Sequence, residues 1–486
     1  MLPTRTSPSL LALALLWAQV LTLGGCAAVA PPSQLPELQA RLDTRLPAAA
    51  PLPQQALPAP SATTAWWQAL QDPQLDALVQ QAQARNLDLK AALASVKQAR
   101  ALAGLANREG GPQGSLGLSA QISRASLPEV DPYAQGLPRP PEQRLIGLSQ
   151  SLSWELDLFG RVATAQAVAE RELGMAQADL HAAQALLQAE LVNRYVQMRT
   201  SQQGLALGQQ QLELAEVRRQ QLLARVKAGL ADARELRAAE GEQALRIAEH
   251  AGLQAQLQQN LAAIALLCGQ TPAALDLELA ALRQPQALPI LPLQHSLQLS
   301  EGLLQRLPQV ARADAALRAG LGQQVLAERA HLPRLSLAAT LGLNEGFSNL
   351  GQAGALRYAA GPTLQWDWLD AGRRHAREAA AQAGSERLWA QFEQTVLQAL
   401  AEGESSLRGW RAQVIAWQET QTAELAATEA ARYTRERHKL GLEPQLAALS
   451  SEAQRLDAQR RSLQQQAQAL QAFVQVHLAL GAWQPG

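Results

Sequence analysis

Aromatic residues are scarce in this sequence: 10 Trp, 4 Tyr and 4 Phe among 486 residues. An enzyme built around an aromatic-rich core is therefore not expected. Cys26 and Cys268 are its only cysteines, too few for a disulfide framework. No excess of charge exists in either direction, because 42 basic residues balance 42 acidic ones. That balance excludes a nucleic-acid partner held by a global basic field and an acidic disordered chain. Beyond the first 25 residues no apolar run is long enough for a transmembrane helix. Phosphate-loop, zinc-protease, nucleophile-elbow and dithiol motifs are all missing. The seven histidines are scattered, and none pairs at helical metal-site spacing. No catalytic, metal-binding or cofactor-binding residue is expected, and the chain does not read as an enzyme.

The bulk consists of Ala, Leu, Gln, Glu and Arg, residues that lose little rotamer freedom in a helix. Residues 1–25 form a leader, with Arg5 ahead of an apolar stretch from Leu10 to Leu23. The leader ends in Leu23-Gly24-Gly25-Cys26, which resembles the lipobox of bacterial lipoproteins. Residues 26–62 are rich in Pro, Ala and Gln and read as an extended linker. Cys268, in an apolar helix end, reads as a buried, inert thiol.

The remaining chain is a duplication. Trp154-Glu155…Gly160-Arg161 matches Trp366-Asp367…Gly372-Arg373, an offset of 212. Arg225…Gly229-Leu230 matches Arg437…Gly441-Leu442, and Leu261…Gly269 falls on Phe473…Gly481, both again at 212. Upstream, Arg85-Asn86-Leu87-Asp88-Leu89 matches Arg306-Leu307-Pro308-Gln309-Val310, and Pro112 matches Pro333, at an offset of 221. The nine surplus residues of the first half belong in the Pro-rich stretch between Leu127 and Pro141, a loop that tolerates insertion.

Each half reads as helix, two strands, very long helix, turn, long helix. Strands are expected at about 113–124, 144–157, 333–344 and 355–368. Apolar residues alternate there with Ser, Gly, Thr and Gln, a pattern shared by membrane β-barrels and half-buried soluble sheets. Trp154, Tyr358, Trp366 and Trp368 suit an interfacial aromatic belt. The segments from Arg161 to about Val226 and from Arg373 to about Lys439 contain no proline. Each amounts to a rod of about 100 Å. Leu173, Leu180 and Leu187 recur at seven, then Leu191, Met198, Leu205 and Leu212 do so after a shift of four, a coiled coil with a stutter. Gly229 and Gly441 end the rods and reverse the chain. If the strands span a membrane, four per chain leave open edges in lipid, so several chains must close the barrel together.

These features carry a family likeness. Trp67…Asp72-Pro73-Gln74-Leu75, Asn86-Leu87-Asp88-Leu89, Ser153-Trp154-Glu155-Leu156-Asp157-Leu158-Phe159-Gly160-Arg161, Arg306…Val310 and Leu478-Ala479-Leu480-Gly481-Ala482-Trp483 resemble the outer membrane factors. These are the TolC-like channel-tunnels, here of the lipoprotein (NodT/OprM-like) branch. The resemblance implies a membrane β-barrel plus a long α-helical coiled-coil barrel. Its unit is a duplicated helix, β-hairpin and helical hairpin, closed as 12 strands only in a homotrimer. It also implies a periplasmic adaptor, an inner-membrane RND-type pump and placement in the outer membrane. Cys26 would carry an N-palmitoyl group and an S-diacylglycerol, the only attached groups implied. In the family the periplasmic end is closed around the hairpin turns by acidic, Arg and Tyr residues. His438, Glu443, Ala447 and Ser450 occupy those second-half positions, and none matches. In the first half, Asp232 and Glu235 after Gly229 either face the lumen or serve as solvated helix-start carboxylates.

The expected organisation is therefore a leader (1–25), a lipid-anchored linker (26–62), a first repeat (63–273, helical hairpin 161–269) and a second (274–486, helical hairpin 373–481). The expected function is the exit duct of a tripartite efflux system for drugs or other small molecules. Two alternatives stay open: a periplasmic coiled-coil scaffold or adaptor lipoprotein, and the outer membrane part of a type I secretion system.

Overall fold

A computed structural model describes residues 65–130, 132–133, 135–136, 138–139, 141–271, 273, 280–292, 303–346, 355–370 and 372–481. The leader, Cys26, the 26–62 linker and Trp483 lie outside these residues.

Seven helices longer than two turns and four strands carry the described chain. α1 (Pro73–Arg85) starts where the Asp72 carboxylate accepts hydrogen bonds from the amides of Gln74 and Leu75. Proline stands at its first position, where no amide is needed. α2 is Leu87–Glu109, α3 Arg161–Lys227, α4 Ala233–Leu267, α5 Pro308–Arg329, α6 Arg373–Lys439 and α7 Gln445–Ala479. The strands are β1 (Gln113–Ser123), β2 (Gln143–Leu156), β3 (Arg334–Gly346) and β4 (Leu356–Gln365). α3 and α6 each have 67 residues, α4 and α7 each 35. All four of their paired boundaries are offset by 212.

Apart from Gly136 in the β1–β2 loop, which has no counterpart, the glycines with left-handed backbone obey the same offset: Gly160 and Gly372, Gly229 and Gly441, Gly269 and Gly481. Each flanks a long helix, where only glycine adopts positive φ without a Cβ penalty. At Gly269 a second constraint applies, because an added Cβ would lie 2.6 Å from the Arg85 carbonyl oxygen.

By its contacts the chain divides into two compact units. One comprises Lys97–Met175 and Asp314–Gln391 and contains the sheet. The strands form an antiparallel meander in the order β1-β2-β3-β4. β4 stops at Gln365, short of 368, so Trp366 and Trp368 stand beyond the strand. Its partner β3 begins opposite Gln365 at Arg334, after Pro333, which has no amide to extend the ladder.

The other unit comprises the described chain through Val96, with Ala176–Ala313 and Phe392 onward. Its core collects Leu70, Leu75 and Leu78 with Leu191, Tyr195, Met198, Ile264, Cys268, Leu282 and Phe473. Leu187, Leu191 and Met198 are buried, so both heptad frames of the stutter reach this core. Within it lies a fully buried cation, Arg199. Its guanidinium donates to the Tyr195 hydroxyl, Gln202 Oε1, the Gln284 carbonyl, Gln286 Oε1 and Gln74 Oε1. Tyr195 donates onward to Asp72 at 2.6 Å. Burial holds the Tyr195 phenol well above its ordinary pKa. The network ties the start of α1 and the connector between the repeats onto the middle of α3.

Candidate functional site

The register of the sheet sorts its residues by face, because directly paired residues point the same way. Ile122, Ala120, Leu118 and Leu116 pair with Arg144, Ile146, Leu148 and Gln150. Leu148, Gln150, Leu152, Trp154 and Leu156 pair with Leu343, Leu341, Ala339, Leu337 and Leu335. Those in turn meet Leu356, Tyr358, Ala360, Pro362 and Leu364. One face is thus apolar across all four strands, interrupted by Gln150 and, near one end of β2, by Arg144. The other carries Ser115, Gly117, Ser119 and Gln121, then Gly147, Ser149, Ser151 and Ser153, then Ser336, Thr340 and Gly342, then Gly361 and Thr363.

Both faces are bare. Leu118 is 78% exposed and Tyr358 82%, although burying a leucine side chain is worth about 2 kcal/mol. A sheet that leaves its whole apolar face open, with β1 and β4 as edges, is not stabilised by a core of its own.

Two tryptophans are fixed at equivalent points. The Trp154 indole donates to the Gly110 carbonyl at 3.1 Å, and Trp366 to the His331 carbonyl at 3.2 Å. Their acceptors are related by the upstream offset of 221. Each indole thus has its polar edge satisfied and its apolar body exposed, as interfacial aromatics do. Glu155, one residue before the end of β2, makes a two-point pair with Arg161. Asp157 lies past the strand and accepts from the amides of Val162 and Ala163, so it caps α3. Asp370 does the same for α6 through Gly372 and Arg374.

The hairpin turns are closed by matching backbone bonds. Leu230 and Leu442 donate to the Arg225 and Arg437 carbonyls, and Gly229 and Gly441 to those of Val226 and His438, the Schellman pattern. The side chains around them differ. Asp232 caps α4 through the Arg234 amide and pairs with the Arg234 side chain. These bonds hold its carboxyl below the ordinary pKa. Glu235 is exposed. In the second turn His438 Nδ1 meets the Glu443 carbonyl at 2.9 Å, and Arg437 pairs with the Glu443 carboxylate at 3.1 Å. His438, Gly441 and Glu443 are therefore brought together within one hairpin, as are Gly229 and Asp232 in the other. Among the described residues no group of His, Cys, Asp and Glu is placed to hold a metal ion.

Paired β-hairpins with one apolar face, alternating with helical hairpins of rod length, define the chain of an outer-membrane channel. The chain belongs to the outer membrane efflux protein family, whose profile matches residues 78–270 and 299–482. It is 29% identical over 433 residues to the pyoverdine export outer membrane protein OpmQ of Pseudomonas putida, covering 86% of this chain and 88% of that protein. It is 28% identical over 442 residues to the outer membrane protein OprJ of Pseudomonas aeruginosa, covering 87% of each. The solved outer-membrane channel OprN superposes with a TM-score of 0.79 at 28% identity, covering 91% of this chain and 97% of that one. These relatives are outer-membrane proteins, and OprN is a channel.

Proposed function

We propose that three copies of this chain close a 12-stranded barrel through the outer membrane and form the exit duct of a tripartite efflux system. The observation that carries this reading is the open four-stranded sheet, apolar on one face and small-polar on the other, with both edges unpaired by the other strands. In lipid each unpaired edge group costs several kcal/mol, and edge-to-edge closure with further copies removes that cost. The apolar face then meets lipid and the Ser/Gly/Thr face lines water. The helical hairpins extend the duct into the periplasm, where an adaptor and an inner-membrane RND-type pump deliver drugs or other small molecules. Cys26 carries the lipid, and the linker lets the body stand off from it. The sheet also argues against a scaffold without barrel strands.

Reconstitution tests this. Purified protein should have three times the mass of the chain and conduct ions across a planar bilayer. A monomer that never conducts would refute the proposal. For the anchor, Cys26→Ser should abolish incorporation of labelled fatty acid, while channel assembly persists because the barrel is itself a membrane anchor.

A further inference from the structure

The register of the sheet also sorts charge between its faces. Arg357 of β4 pairs with Gly342, Gly342 with Ser149, and Ser149 with Gly117. Arg357 therefore stands on the Ser/Gly/Thr face, and it is exposed. Its row otherwise holds two glycines and a serine. A Cβ at Gly342 would lie 2.6 Å from the Leu148 carbonyl oxygen, and one at Gly117 would lie 3.2 Å from Ser149 Oγ. Both glycines are thus kept small by their neighbours, and the guanidinium projects past nearly bare backbone. Among the described residues Arg357 has no ion-pair or hydrogen-bond partner.

Nothing on the same face offsets this charge. The carboxylate that the described strands place there is Glu155, already held by Arg161 in a two-point pair. Glu155 lies six residues beyond Ser149 along β2, about 20 Å at the rise of a strand. That is about twice the Debye length at physiological salt, so Glu155 does not neutralise Arg357. Arg334, which pairs with Gln365, adds a second cation to the face. The duplication did not copy the charge. At the offset of 212 the counterpart of Arg357 is Leu145, which pairs with Gln121 on the same face.

Arg357 is the second residue of β4, at the end of the sheet where β3 connects to β4. In the proposed duct that end faces outward, away from the helical hairpins. We infer that three copies of Arg357, one per chain, form a cationic ring inside the outer mouth of the barrel and favour anionic small molecules over cations. This inference rests on the three-chain duct proposed above. A barrel of 12 strands is about 24 Å across between backbones. An arginine reaching inward then holds its charge within about one Debye length of the axis. Rings of Arg or Lys select anions in pores in this way, and low-dielectric walls focus the field.

The test measures reversal potentials of the full chain in planar bilayers under a KCl gradient. R357E should lower the Cl⁻/K⁺ permeability ratio about tenfold and R357Q should lower it less, whereas R357K should keep it. L145R supplies the charge that the first repeat lacks and should raise the ratio, a gain that a merely structural role for Arg357 would not give. R144Q, near the same end of the sheet but on the apolar face, should leave the ratio unchanged. A conducting protein whose ratio ignores both R357E and L145R would overturn the ring and leave the duct standing. R144Q shifting the ratio as far as R357Q does would overturn the ring in the same way. Protein that conducts in no form would overturn the duct and the ring with it.

Discussion

The sheet and the helical unit obey opposite rules. The helical unit buries Leu, Tyr, Phe and even an arginine within a single chain, and the Arg199 guanidinium finds its partners there. The sheet buries almost nothing, and its most apolar residues are among the most exposed in the molecule. The same duplicated unit thus yields one part that buries its apolar residues within the chain and another that leaves them exposed. Among the described residues no helix is long and apolar enough to cross a membrane, so in the proposed duct the sheet is the part that meets lipid.

Substitutions can sharpen or break that contrast. The largest effect is expected at Arg199. Its removal leaves the Gln284 carbonyl and three glutamines without their donor in a dry core, a loss of about 3–5 kcal/mol. Arg199→Ala should therefore lower the melting temperature of the helical signal by many degrees, and an unchanged melt would mean that the network does not hold the connector. Next comes a pair on neighbouring residues of β1. Leu118→Arg places a cation on the apolar face and should cost about 2–4 kcal/mol in assembly. Ser119→Arg should assemble normally and alter ion selectivity. Equal assembly yields from the two would erase the distinction between the faces.

Glycines give a smaller and graded effect. Gly441→Ala meets open space and should cost only the left-handed backbone penalty of about 1–2 kcal/mol. Gly269→Ala adds the collision with Arg85 and should be worse, as thermal unfolding of the two variants would show. The smallest effect is pH-dependent. The Asp232 pKa is lowered in the folded state, so its contribution is present above the unfolded value of 3.8 and is lost as pH falls through the folded value. Asp232→Asn should remove that acid-limb contribution, which stability measured from pH 6 to pH 3 would reveal.

Much of this was legible in the residues, because the carriers of the pattern are local. Period-two alternation marks β1 to β4, absence of proline marks α3 and α6, and Gly229 and Gly441 mark the reversals. What escaped was set by distant partners. Trp366 and Trp368 fall outside β4 because β3 starts after Pro333. Asp157 caps a helix instead of extending a strand, which depends on where Gly160 turns the chain. The ion pair between Arg246 of α4 and Asp457 of α7 looks like solvated helix faces in sequence, since the two residues are 211 positions apart and only the packing of the helices joins them. Arg199 gave no signal either, as its partners come from three separate segments.

The central claim is that one face of the sheet meets lipid and the other meets water. Single cysteines placed in turn from Ser115 to Ile122, in protein reconstituted into liposomes, test it most directly. Positions 115, 117, 119 and 121 should react with a charged, water-borne thiol reagent. Fluorophores at 116, 118, 120 and 122 should instead be quenched by brominated lipid. Uniform reactivity along the strand, without a period of two, would contradict the account.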